Sequence, residues 1–221
     1  MKKSILSLFV LATISMNVAC KGEKNETEEV GEVATASEES TTYVVDTQNS
    51  VIEWIGSKPA GKHNGTINLK SGEVAVKNDS IQSGKFVIDM NSIVVTDLKA
   101  GDGKEDLEAH LKGTGDKEGE DHFFNVGKFP EGMFEITTIT TENGKTTVNG
   151  NLTLKGVTKP VSFPAALAYE GDTMMLTSDS FQINRTHWNV NYASKSIFDD
   201  LKDQFVNDEI ELVVKLKATK Q

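Results

Sequence analysis

Cysteine is nearly absent from this chain. The only one is Cys20, so no internal disulfide can form and the fold must be held by packing. Positive charge is also scarce. Lys and Arg number 23 against 33 Asp and Glu, for a net charge of −10 and a pI of about 4.9. Nucleic acid needs a basic face, so it is excluded as a partner, and electrostatic docking on anionic lipid is disfavoured. Catalytic and metal-binding patterns are missing too. The four histidines, His63, His110, His122 and His187, form no HxH or HExxH, and no Gly-x-Ser-x-Gly elbow occurs. Asp102-Gly103-Lys104-Glu105-Asp106 lacks EF-hand spacing. His122, beside Glu120 and Asp121, could hold a divalent ion only weakly, and hydrogen bonding at turns and strand ends is the default role of these rings. The expectation is a protein that is not an enzyme, with no metal site and no cofactor. No repeat of fixed period is present.

The N-terminus reads as a targeting segment. Lys2 and Lys3 precede a mostly apolar stretch, Ile5 to Ile14, too short to remain as a membrane span. Ala19 then stands directly before Cys20. A basic start, a short apolar core and a small residue before the cut make a secretory signal. The cysteine just after it is similar to the lipidated residue of bacterial lipoproteins. Residues 1–19 are therefore expected to be a signal peptide, with Cys20 the lipid-carrying N-terminus. Residues 20–41 follow as an acidic tether without aromatics before Tyr43, too polar to form a core and expected to be flexible. The expected domain spans 42–221.

Beyond the tether, apolar residues alternate with polar ones. Ile52 and Trp54 share a face, as do Ile67 and Leu69, and Val74 and Val76. Phe86, Ile88 and Met90 alternate with Val87, Asp89 and Asn91, while Phe134 and Ile136 alternate with Glu135 and Thr137. The same period recurs at Leu152 and Leu154, Met174 and Leu176, Phe181 and Ile183, and along Ile210, Leu212, Val214 and Leu216. This predicts roughly eight or nine strands in an antiparallel barrel or sandwich. Two short helices are allowed, over Lys104–Leu111 and Ile197–Phe205. In Gly150–Phe163, a break at Gly156 with a turn over Val157-Thr158-Lys159-Pro160 predicts a β-hairpin. The run at 115–121 reads as a charged, mobile loop.

Five blocks in order carry a family resemblance. They are Trp54-Ile55-Gly56 with Gly61-Lys62-His63-Asn64-Gly65; Ser83 to Met90; His110-Leu111-Lys112 with Phe123-Phe124-Asn125-Val126; the hairpin at 150–163; and Phe181-Gln182-Ile183-Asn184-Arg185 with Trp188 and Asn207 to Leu212. Together they resemble the YceI family of bacterial exported proteins. The resemblance implies an eight-stranded, lipocalin-like antiparallel barrel that binds long amphiphiles, notably polyisoprenoids, in an apolar interior. It further implies that the inward stripe lines the ligand cavity: Trp54, Phe86, Ile88, Met90, Phe134, Ile136, Leu152, Leu154, Phe163, Phe181, Ile183, Leu212 and Val214. The same residues would fill an ordinary solid core. Arg185 is the one basic residue in an apolar block, and a structural clamp is favoured over head-group recognition. The expected partners are an amphiphilic lipid, here an isoprenoid-like one, and the membrane reached through the N-terminal anchor. A homodimer is left open. The expected location is the cell envelope, in the periplasm or on the outer membrane. Two other readings stand beside this one: an envelope stress-response or interaction protein with incidental lipid, and a metal- or haem-associated redox accessory. The chain departs from the family pattern in its longer acidic loop, Gly113 to His122, and in His187 and Asn189 around Trp188, differences that bear on ligand preference.

Overall fold

The computed structural model of the protein describes residues 29–115, 122–142 and 145–221. The expected signal peptide, Cys20 and most of the acidic loop lie outside them. The described strands are β1 (Thr41–Val45), β2 (Val51–Lys58), β3 (Gly61–Lys77), β4 (Ser80–Asp89), β5 (Val94–Val95), β6 (Glu131–Glu142), β7 (Lys145–Leu154), β8 (Val157–Glu170), β9 (Thr173–Ser178), β10 (Phe181–Asn184) and β11 (Glu209–Lys220), with one α-helix, α1 (Lys104–Lys112).

The strands close on themselves. β2, β3, β4, β6, β7, β8, β9 and β11 pair in that order, and β11 pairs back with β2, giving an eight-membered antiparallel ring. Two wall positions are built from split strands. β1 and β2 follow one another along one side of β11, and β9 and β10 along its other side. A strand that is curved and tilted around a barrel is readily interrupted, which is why more segments are present than the ring has members. Closure pairs every member of the ring on both sides, while the short β5 and β10 each pair on one side only, with β3 and β11. Alternation then sends one side chain of each pair inward and the other to solvent, as the period of two requires.

Four expectations are corrected. The β7–β8 turn is Lys155-Gly156, both with positive φ (47° and 74°), so Val157 to Pro160 already belong to β8. A two-residue turn of this hand matches the strand twist, and it needs no proline. Met90 does not continue β4 but opens a 3₁₀ turn, Met90–Ser92, capped by the Asp89 side chain on the Asn91 N–H. Residues 197–205 form a loop of turns, not a helix. The tether is not free as far as residue 41: the Asn151 side chain accepts from Gly31 N–H (3.0 Å) and donates to Gly31 O (2.7 Å), and Ala34 N–H donates to Ile136 O (2.9 Å). The segment docks because β6 bulges between Ile136 and Thr138 and frees that carbonyl.

Candidate functional site: an apolar cavity along the barrel axis

The barrel is hollow because its inner aromatic rings lie flat on the wall. Trp54 on β2 faces Gly65 on β3, and a Cβ at Gly65 would come within 2.6 Å of the indole. Phe86 faces Gly72 and flanks Gly84, positions where a Cβ would approach the ring to 2.8 and 3.2 Å. Phe134 lies over Gly150, where a Cβ would stand 2.3 Å from the ring. A ring folded over a glycine covers the wall instead of crossing the axis. Phe134 reaches Phe163 across β7 at 5.7 Å between centroids, and Phe163 stacks on Phe181 at 4.5 Å. These rings make an aromatic belt around half the interior.

The cavity measures about 380 Å³. Every lining residue expected from the sequence borders it, from Trp54 and Phe86 through Leu152 and Leu154 to Leu212 and Val214. Phe134, Phe181, Leu212 and Val214 are only half-buried although they point inward, since the space beside them is open. The far end of the barrel is solid: Tyr43, Val45, Val76, Met174 and Ala218 are buried there, and Tyr43 packs edge-on against Tyr169 at 6.3 Å. Burial pushes the Tyr169 hydroxyl up to about 12, with nearby Asp79 and Tyr43 acting the same way.

The other end is the mouth, between the β2–β3 hairpin, α1 and the connection from β10 to β11. Several lining residues there carried no strand period and were missed: Leu107, His110 and Leu111 on α1, Phe123 and Phe124 after it, and Tyr192, Gln204 and Val206 between β10 and β11. The helix is tied down at both ends. Glu108 accepts from Val95 N–H (2.9 Å), and Phe124 and Val126 N–H donate to Leu111 O and Lys112 O (3.2 and 2.9 Å). Across the opening the His110, His122 and Tyr192 rings meet, with a 3.1 Å hydrogen bond between the two imidazoles and Tyr192 at 4.6 Å from each.

Two polar side chains at the mouth are already engaged. Arg185 is buried, with Nε donating to Asn207 O (3.0 Å), Nη1 to Val190 O (2.5 Å), and Nη2 to Val206 O (2.9 Å) and Asp208 (3.4 Å). Burial draws its pKa below the usual guanidinium value, and Asp208 and Glu209 oppose that. With its fork spent on backbone carbonyls, Arg185 staples the two ends of the mouth loop together, Val190 to Val206 and Asn207. His63 pairs through Nδ1 with Asp97 at 2.9 Å. Partial burial pushes the Asp97 carboxyl up, but hydrogen bonds from Asn64 N–H and His63 prevail and hold it below 3.8. Among the described residues, no three His, Cys, Asp or Glu side chains gather closely enough to hold a metal ion.

An apolar, closed-end barrel with these blocks around its mouth has a clear family match. The family profile described as "YceI-like domain" covers residues 43–218. The chain belongs to the YceI family. Among solved structures it is similar to Burkholderia cenocepacia BcnA (TM-score 0.61, 23% identity, covering 79% of this chain and 99% of that one). It is also similar to a polyisoprenoid-binding domain from Saccharophagus degradans (TM-score 0.56, 11% identity, 82% and 99%). At these identities the YceI-family likeness is one of fold. Curated YceI proteins, such as that of Salmonella arizonae, match at 48% identity over 50 residues, 23% of this chain and 26% of the relative's length.

Proposed function

We propose that this YceI-family protein binds one long-chain, isoprenoid-like amphiphile in its barrel and holds it in the cell envelope, tethered through a lipidated Cys20. It acts as a binder or carrier and not as an enzyme. The observation that carries this reading is the open, apolar axis bounded by rings that lie against the wall. A cavity of roughly 150 Å³ takes a benzene ring, so 380 Å³ has room for about fifteen carbons, or three isoprene units. Burying that many at about 0.8 kcal/mol per carbon contributes about 12 kcal/mol. Association costs of about 4–15 kcal/mol offset much of it. Affinity therefore depends on chain length more than on polar contacts, and the polar end is left at the mouth beside His110 and Tyr192. The solid far end makes entry one-sided. A polyisoprenoid-binding relative of the same fold supports this choice of ligand class.

A calorimetric titration with prenols of five to twenty carbons tests the reading. Affinity should rise with each isoprene unit up to about fifteen carbons and then level off, as further units remain outside the mouth. Absence of binding for every prenol overturns it.

A further inference from the structure

Large apolar side chains exposed on single strands need no explanation, but a cluster beside a cavity mouth does. Three of the described chain's exposed large apolar residues sit on one loop, the connection from β10 to β11: Tyr192 (43% exposed), Ile197 (46%) and Phe198 (48%). The others are Val30 and Val33 on the docked N-terminal segment and Met175 on β9. The exposure is built in. A bridge joins Ser194 to Val206, and Val206 N–H donates to Ala193 O (2.9 Å), closing the base of the loop. Arg185 grips that base through Val190 O and Val206 O. Ile197 and Phe198 N–H both donate to Ser194 O, holding the tip in a turn. Tyr192 and Val206, at the base, line the cavity itself.

We propose that the loop over residues 191–206 docks the protein on a lipid bilayer, with Ile197 and Phe198 entering the interface and the cavity mouth brought against it. The inference rests on the amphiphile-binding reading and names where the amphiphile is collected. A chain moving from bilayer to barrel through water would expose every methylene. A mouth whose lip is itself apolar removes that step. The loop's composition suits an interface: aromatic and aliphatic side chains at the tip, with Lys195 lying over the Phe205 ring at 4.8 Å, where its stem can reach outward. Its charge selects the surface. Lys195 and Lys202 stand against Asp199, Asp200 and Asp203, on a chain of net charge −10, so the surface is zwitterionic and not anionic. A second copy of the chain is the weaker occupant, because a stable interface buries about 800 Å² per partner and these few side chains cannot supply it.

The test uses the full chain carrying Cys20→Ala, so that no acyl anchor contributes, and a double variant with Ile197→Ser and Phe198→Ser added. Radiolabelled fifteen-carbon prenol is offered in two ways: in phosphatidylcholine vesicles and as a cyclodextrin complex. The double variant should load from vesicles at least tenfold more slowly, while loading from cyclodextrin and the melting temperature stay unchanged. Vesicle rates within twofold of each other overturn the docking assignment. A dimer that becomes a monomer in the double variant also overturns it, in favour of a protein interface. If the parent chain loads from neither donor, the amphiphile-binding reading itself fails, and this inference falls with it.

Discussion

Filling the cavity from its wall separates a hollow barrel from a packed core. Val214 is the site of choice: it lines the cavity, is only half-buried, and pairs across the strand with Ile52. Leu154 is less suitable, because its Cδ2 stands 2.9 Å from where a Cβ at Gly132 would be, in a crowded part of the wall. Val214→Trp places an indole in the open axis. An aromatic ring takes roughly 150 Å³, well over a third of the 380 Å³ present, and removes room for about six carbons. At about 0.8 kcal/mol each, the ligand loses about 5 kcal/mol of burial, equivalent to three to four decades of affinity at 1.4 kcal/mol per decade. The chain can recover part of this by sliding outward, so the expected loss for a fifteen-carbon prenol is at least a hundredfold. Stability should behave in the opposite way. A filled core resists such an addition at about 1–3 kcal/mol, whereas a ring entering empty space gains contacts, so the melting temperature should hold or rise. Calorimetric titration and thermal unfolding read both quantities on the same sample. Prenol affinity within tenfold of wild type, or a melting temperature lower by more than about 2 °C, would refute the hollow barrel, since the cost of about 1–3 kcal/mol for overfilling a packed core corresponds to about 2–12 °C at this size.

Three further outcomes follow from the wall and mouth. Arg185→Met strands three backbone carbonyls and Asp208 and should cost about 3–5 kcal/mol in urea unfolding; a cost under 1 kcal/mol would show that the staple does not hold the mouth loop. Gly65→Ala puts a Cβ 1.8 Å from Val94 O and against Trp54, and since neither neighbour can swing away it should cost at least about 3 kcal/mol, whereas a near-neutral result would mean that the rings do not rest on the glycines. Because the Asp97 carboxyl titrates below its ordinary 3.8 in the folded protein, its contribution is present above the unfolded value and disappears as pH falls through the folded one; Asp97→Asn should therefore flatten the stability profile below about pH 4, and an unchanged acid limb would remove His63–Asp97 from the account.

The period of two made the wall legible. Each inward stripe, such as Ile52 and Trp54 or Leu212 and Val214, is read directly from the sequence, because a one-residue slip would turn the whole stripe to solvent. The hollowness was partly legible: Gly65 and Gly72 stand directly across from Trp54 and Phe86, but that pairing is visible only once the register is known. The mouth was not legible. Leu107, His110, Phe123 and Tyr192 come from a helix and from loops, where no period marks the inward side and tertiary contacts alone decide it. The turn at Lys155-Gly156 was misplaced because Pro160 resembles a turn residue, whereas here it occupies a strand position opposite Asn151. Val30 to Ala34 look like tether by composition, yet backbone groups freed by a bulge and the Asn151 amide capture them.

Native mass spectrometry of the full chain, purified from its own cells in mild detergent, decides whether the barrel carries an amphiphile. One bound molecule per chain is expected, released on gas-phase activation with the mass of an isoprenoid-like lipid and absent from Val214→Trp. A chain that flies at its bare mass, or that retains the same adduct in Val214→Trp, would mean that the barrel interior holds no such ligand.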